Sequence, residues 1–192
     1  MNVICFGDSN TYGYEPPLLF GAAATARTAG GRTFSGSKPA GPSSIKGGKT
    51  AEKIPTAGVR FPPGTDLLII MLGTNDLLQG RSPAAAAGRM ERFLKGINLP
   101  REKILLIAPP PVTLGAWVPD RARVDDSAAL ASRYQALAGR LGIRFANAGD
   151  WGVSLAYDGV HFTEPGHRAF AAGLLLALDN LMGCPERSDG RA

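Results

Sequence analysis

The stretch Asp66-Leu67-Leu68-Ile69-Ile70-Met71-Leu72 has no polar side chain after its opening aspartate. A strand with one wet face alternates polar and apolar residues. A strand apolar on both faces needs cover on both sides, and parallel strands flanked by helices receive it. Three other short runs have the same character: Asn2 to Phe6, Lys103 to Ala108 (stopped by Pro109, Pro110 and Pro111) and Ile143 to Asn147. Helical patterns lie between them. Ser82 and Pro83 have the chemistry of a helix start, and that helix is expected to reach Lys95 before Gly96. Asp126 to Leu141 carries Leu130, Tyr134, Leu137 and Leu141 at helical spacing, with Gly142 as a stop. Thr163 can cap a last helix that continues through Phe170 and Leu174 to about Leu181. Strands alternating with helices imply a parallel sheet covered on both faces, with any ligand site at the carboxyl ends of the strands.

The chain has 192 residues, enough for one domain with a real core and no disulfide or metal staple. We expect that domain to span residues 1–183, followed by a polar tail over 184–192. One internal stretch, about 17–53, breaks the pattern. From Gly21 to Lys53 there are seven Gly, seven Ala, four Ser and four Thr, and the large apolar residues are only Phe34 and Ile45. That composition resembles a linker. It also holds the charge imbalance: the net charge is +5, and Pro16 to Ala57 carries six basic residues against one acidic residue. The rest of the chain is balanced. A solvated polar stretch explains this better than a nucleic-acid surface, which would combine basic clusters with aromatic platforms, so no nucleic-acid partner is expected.

Three clusters can carry chemistry. Gly7-Asp8-Ser9-Asn10 directly follows the first strand and can present a hydroxyl at the mouth of the sheet, with a backbone N–H beside it. Gly73-Thr74-Asn75-Asp76 follows the second strand and offers a carboxamide donor at the same end. Taken singly, each is more readily a plain turn. The third is Asp158-Gly159-Val160-His161, leading into the last helix. An imidazole can take a serine proton when a carboxylate fixes its tautomer and steadies its charged form, and Asp158 lies three residues before His161. The other histidine, His167, falls inside the last helix and is read as a surface or packing residue.

Together, in the order Ser9, Asn75, Asp158, His161, these clusters resemble the SGNH (GDSL-type) hydrolase family. The run Ile69 to Asp76 and the triple-proline stop resemble its small bacterial arylesterase and acetylesterase branch. The resemblance covers residues 1 to about 15 and about 55 to 182. It implies a flavodoxin-like three-layer sandwich, with a parallel sheet of about five strands and helices on both faces. It implies Ser9 as nucleophile, His161 as general base and then acid, and Asp158 as the group that orients His161. The oxyanion hole would use the Ser9 N–H, the Asn75 side chain and the N–H of a glycine in the atypical segment, for which Gly48 is the candidate and Gly47 its near rival. That segment is either a divergent loop or a stretch translated in a shifted frame and restored afterwards.

The implied activity is hydrolysis of small esters with short-chain acyl, acetyl or aryl groups. The alternatives are acyl transfer at the same site, or a non-catalytic carbohydrate- or acyl-binding member with an impaired oxyanion hole. Leu114, Trp117 and Val118 either line an acyl or alcohol pocket or pack against a neighbouring subunit, so a homo-oligomer is an open expectation. No cofactor is expected. Two histidines, without His-x-x-x-His or Cys-x-x-Cys spacing, leave no zinc ligand set. Gly48-Lys49-Thr50 hints at a phosphate-binding loop, but Ser43 stands where that motif needs a glycine. No apolar run reaches the length of a membrane span, the N-terminus does not read as a signal peptide, and Cys5 and Cys184 are too few for a disulfide framework. The expected setting is cytoplasmic, with no membrane partner.

Overall fold

The computed structural model describes residues 2–14, 61–62 and 64–182. The atypical segment with Gly48 and the tail from 184 lie outside these residues. The described residues form four parallel strands in the order β1 (Val3–Gly7), β2 (Leu67–Met71), β3 (Ile104–Ala108) and β4 (Arg144–Asn147). All four fall within a residue of the expected runs. Every residue of β2 and β3 is buried, whereas β1 and β4, at the two ends of the order, are half-buried.

The two-residue period of β2 divides its side chains between two cores. Leu68, Ile70 and Leu72 join Ile104 and Leu106 in a cluster with Met90, Phe93, Leu94, Leu130 and Tyr134. Leu67, Ile69 and Met71 join Leu105 and Ile107 on the opposite face, with Phe162, Phe170 and Leu174. Helices α3 (Pro83–Lys95) and α4 (Arg121–Leu141) therefore cover one face and α5 (Glu164–Met182) covers the other. This is the three-layer arrangement expected from the sequence. Each fully buried Leu, Ile or Phe in these layers contributes roughly 1.5–3 kcal/mol relative to exposure. No helix among the described residues is long and apolar enough to cross a membrane.

Local chemistry explains the helix boundaries. The Ser82 side chain accepts from the Ala85 N–H at 3.2 Å, Pro83 opens α3, and Arg92 and Lys95 sit in its last turn, where cations suit the helix dipole. Helix α4 starts at Arg121, five residues before the expected Asp126, because Asp120 caps it by accepting from the Ala122 N–H at 2.9 Å. Its extra turn is mostly charged and carries no apolar period to read. The Thr163 hydroxyl accepts from the Gly166 N–H at 3.1 Å at the start of α5. Two short helices, α1 (Ser9–Tyr12) and α2 (Thr74–Leu78), follow β1 and β2 directly. The sequence suggested turns there, since four or five residues are too few for a helical period to show.

Candidate active site

Strand β1 delivers the first cluster. The Asp8 carboxylate caps α1 by accepting from the Asn10 N–H at 3.2 Å, so Ser9 is the first residue of the helix. Its backbone N–H has no carbonyl within the helix to pair with. Asp8 is partly buried, and that burial pushes its carboxyl up to about 6, although the Asn10 N–H and the nearby His161 pull the other way.

Strand β2, paired with β1 so that Gly7 faces Met71, delivers the second cluster at the same end of the sheet. Gly73 turns the chain into α2 with φ of 127°, a region closed to most side chains. A Cβ there would also lie 2.5 Å from the Tyr134 hydroxyl and 2.8 Å from Leu130 Cδ2. The Tyr134 hydroxyl donates to the Leu72 carbonyl at 3.0 Å, and burial, with Asp76 and Asp8 nearby, pushes its ionisation up. One residue past Asn75, the fully buried Asp76 meets Arg89 Nη1 at 3.3 Å and Arg81 Nε at 3.7 Å. These contacts fix the turn that carries Asn75.

The third cluster lies between a single 3-10 turn, Ala148–Trp151, and α5. The loop is laced to the segment after β3: Thr113 N–H donates to the Gly159 carbonyl at 2.9 Å, and Trp117 N–H donates to the Asp158 carbonyl at 3.1 Å. Gly159, at φ 78°, packs so closely on the Thr113 carbonyl that no side chain would fit. Asp158 Oδ1 accepts the N–H groups of Val160 at 2.9 Å and His161 at 3.0 Å, while Oδ2 lies 2.6 Å from His161 Nδ1. Burial alone would raise the Asp158 carboxyl, but the His161 N–H, its imidazole and the Val160 N–H together hold it below its ordinary value. An ionised Asp158 can only accept, so the imidazole proton sits on Nδ1 and Nε2 presents its lone pair. That lone pair faces Ser9 Oγ at 3.0 Å.

The structure thus brings Ser9, His161 and Asp158 into one hydrogen-bonded row and puts Asn75 at the end of the neighbouring strand. Gly48 lies outside the described residues. Trp117, 43% exposed, sets its ring 5.0 Å from the His161 ring at 82°, and Leu114 is more exposed still. Val118 is different: it is fully buried with Val112 and Val160, so it supports this segment from below and does not face a ligand. His167 lies in α5 with its ring 5.2 Å from Phe162. Two further side chains border the row. Tyr14 stands 4.7 Å from the His161 ring, and the buried Asn10 bonds to the backbone beside His161. Neither carries a local signal, because their partners are about 150 residues away along the chain. Among the described residues, no group of three or more His, Cys, Asp or Glu side chains could hold a metal ion.

The row can transfer a proton from a hydroxyl to an imidazole backed by a carboxylate, which is the chemistry of acyl transfer to serine. The GDSL-like lipase/acylhydrolase family matches residues 5–169. No curated protein matches the chain. Among solved structures, the aryl esterase of M. smegmatis is 25% identical, with a TM-score of 0.65 over 93% of this chain and 97% of that one. A carbohydrate acetylesterase family member from Sinorhizobium meliloti is 28% identical with a TM-score of 0.55, and the match spans 64% of each chain, just short of two thirds. A member of the lipolytic G-D-S-L family from Veillonella parvula, 20% identical with a TM-score of 0.61 over 92% of this chain and 97% of that one, shares the fold.

Proposed function

The chain belongs to the GDSL-like lipase/acylhydrolase family, and from that premise we propose that it is a carboxylic-ester hydrolase that cleaves small esters with short-chain acyl, acetyl or aryl groups through an acyl-enzyme on Ser9. The observation that carries this reading is the row Ser9 Oγ, His161 Nε2, His161 Nδ1, Asp158 Oδ2, with contacts of 3.0 and 2.6 Å. Ser9 Oγ attacks the acyl carbon as its proton passes to His161 Nε2. The negative charge that gathers on the carbonyl oxygen is met by the Ser9 N–H and the Asn75 carboxamide. The tetrahedral intermediate collapses, the bond to the alcohol breaks, and Nε2–H protonates the departing oxygen. Water then attacks the acyl-serine, giving its proton to Nε2, and release of the acid returns the hydroxyl to Ser9. Asp158 keeps its negative charge throughout and steadies the imidazolium.

The exposed faces of Trp117 and Tyr14 beside His161 suit a flat acyl or alcohol group. The catalytic unit is one domain over residues 1–183, since its serine and histidine come from opposite ends of that span. A cytoplasmic setting belongs to the same reading. Hydrolysis of p-nitrophenyl acetate by wild type and Ser9→Ala tests the reading. The variant is expected to lose at least about a thousandfold in kcat. Equal rates would leave a binding module on the same scaffold.

A further inference from the structure

Asn10 directly follows Ser9 and is buried. Its Nδ2 donates to the Val160 carbonyl at 3.1 Å, and its Oδ1 accepts from the Phe162 N–H at 3.1 Å. These two backbone groups flank His161. The Asn10 backbone N–H is itself held by Asp8 Oδ1 at 3.2 Å. One side chain therefore joins the helix that presents Ser9 to the segment that presents His161. The bonds within the Asp158 loop fix His161 relative to Asp158, but they do not fix it relative to Ser9.

Resting on the serine-esterase reading above, we propose that Asn10 is a positioning residue, whose carboxamide sets the distance from Ser9 Oγ to His161 Nε2 by clamping the chain on both sides of the imidazole. The chemistry is specific. The site asks for one donor and one acceptor on a short planar group. Aspartate keeps the acceptor but turns a second oxygen toward the Val160 carbonyl, alanine supplies neither, and glutamine is one methylene too long. Proton transfer depends steeply on this kind of placement, and a misplacement of about 1 Å can cost on the order of a hundredfold in rate.

The test compares wild type, Asn10→Ala and Asn10→Asp on p-nitrophenyl acetate, each well below its own Tm, with Ser9→Ala as control. Proton NMR follows the His161 Nδ1–H that points at Asp158. Both Asn10 variants should lose about a hundredfold in kcat with KM within about twofold of wild type. The Nδ1–H signal should persist, because the Asp158 loop keeps its own bonds. Hydrogen exchange on the wild-type protein should find the Phe162 N–H strongly protected. A wild-type kcat in either variant, loss of the Nδ1–H signal together with activity, or a Phe162 N–H that exchanges like a free amide would each overturn the proposal. The last measurement needs no variant to fold. If Ser9→Ala keeps its activity, the esterase reading falls. If Ser9→Ala is inactive while the Asn10 variants are unimpaired, only the clamp falls.

Discussion

Asp8 and Asp158 lie close to the same imidazole and titrate in opposite directions. Asp158 is held below its ordinary value because three N–H donors meet its two oxygens. Its contribution to stability is present above the unfolded carboxylate range and is lost as pH falls through its lower folded value. Asp8 is raised to about 6, chiefly by burial. The folded protein then keeps that proton longer than the unfolded chain does. Its contribution is full below the unfolded carboxylate range and is lost as pH rises through about 6. Asparagine can cap α1 as well as aspartate and carries no charge. Asp8→Asn is therefore expected to raise Tm relative to wild type at pH ~8, by an amount on the order of 2 kcal/mol in stability, and to give little gain at pH ~4. Thermal melts across that range check it, and a difference that does not change with pH would contradict the assignment of the raised group. At this scale the row of three side chains could be read from residue types and spacing, and Asn10 could not. Its side chain serves backbone groups in a segment remote in sequence, and nothing next to it in the chain announces them.

Elements were legible where a cap or a period marked them. Ser82-Pro83 gave α3 its start, and the β2 run lies within one residue of its expected limits at each end. The start of α4 was set by Asp120, ahead of any apolar period, and α1 and α2 are too short to have one. Yet α1 and α2 hold Ser9 and Asn75, so the site is built on the elements that sequence periodicity sees least. Gly73 shows how tightly such an element is set. It needs a left-handed φ and close contact with Tyr134, whose hydroxyl meets the carbonyl of Leu72 just before the turn. Gly73→Ala should destabilise the fold by about 2 kcal/mol or more and lower kcat by displacing Asn75. Urea unfolding and steady-state kinetics measure the two effects. An alanine variant of wild-type stability would mean the turn tolerates a side chain and that packing on Tyr134 does not set it.

Among the described residues, β1 and β4 stand at opposite ends of the four-strand order, yet the serine after β1 meets the histidine that follows β4. Helix α5 lies on the face opposite α3 and α4, and its side chains pack into the cluster that also holds Val3 and Cys5 of β1. The chain between β4 and α5 therefore returns across the sheet, and His161 arrives above the end of β1. Short-range patterns predicted the layers and the parallel strands, because both are local consequences of apolar period. The convergence of the two ends is a property of the path, and only the order of the three clusters hinted at it. Catalysis at this convergence depends on His161 making Ser9 nucleophilic. The most direct measurement is labelling by an aryl phosphonate ester, which forms a bond from phosphorus to the attacking oxygen and releases the phenol, followed by peptide mass mapping. One label per chain is expected on the peptide holding Ser9, none on Ser9→Ala, and labelling of His161→Ala slowed by about a thousandfold. A label on any other residue, or an undiminished rate in His161→Ala, would contradict it.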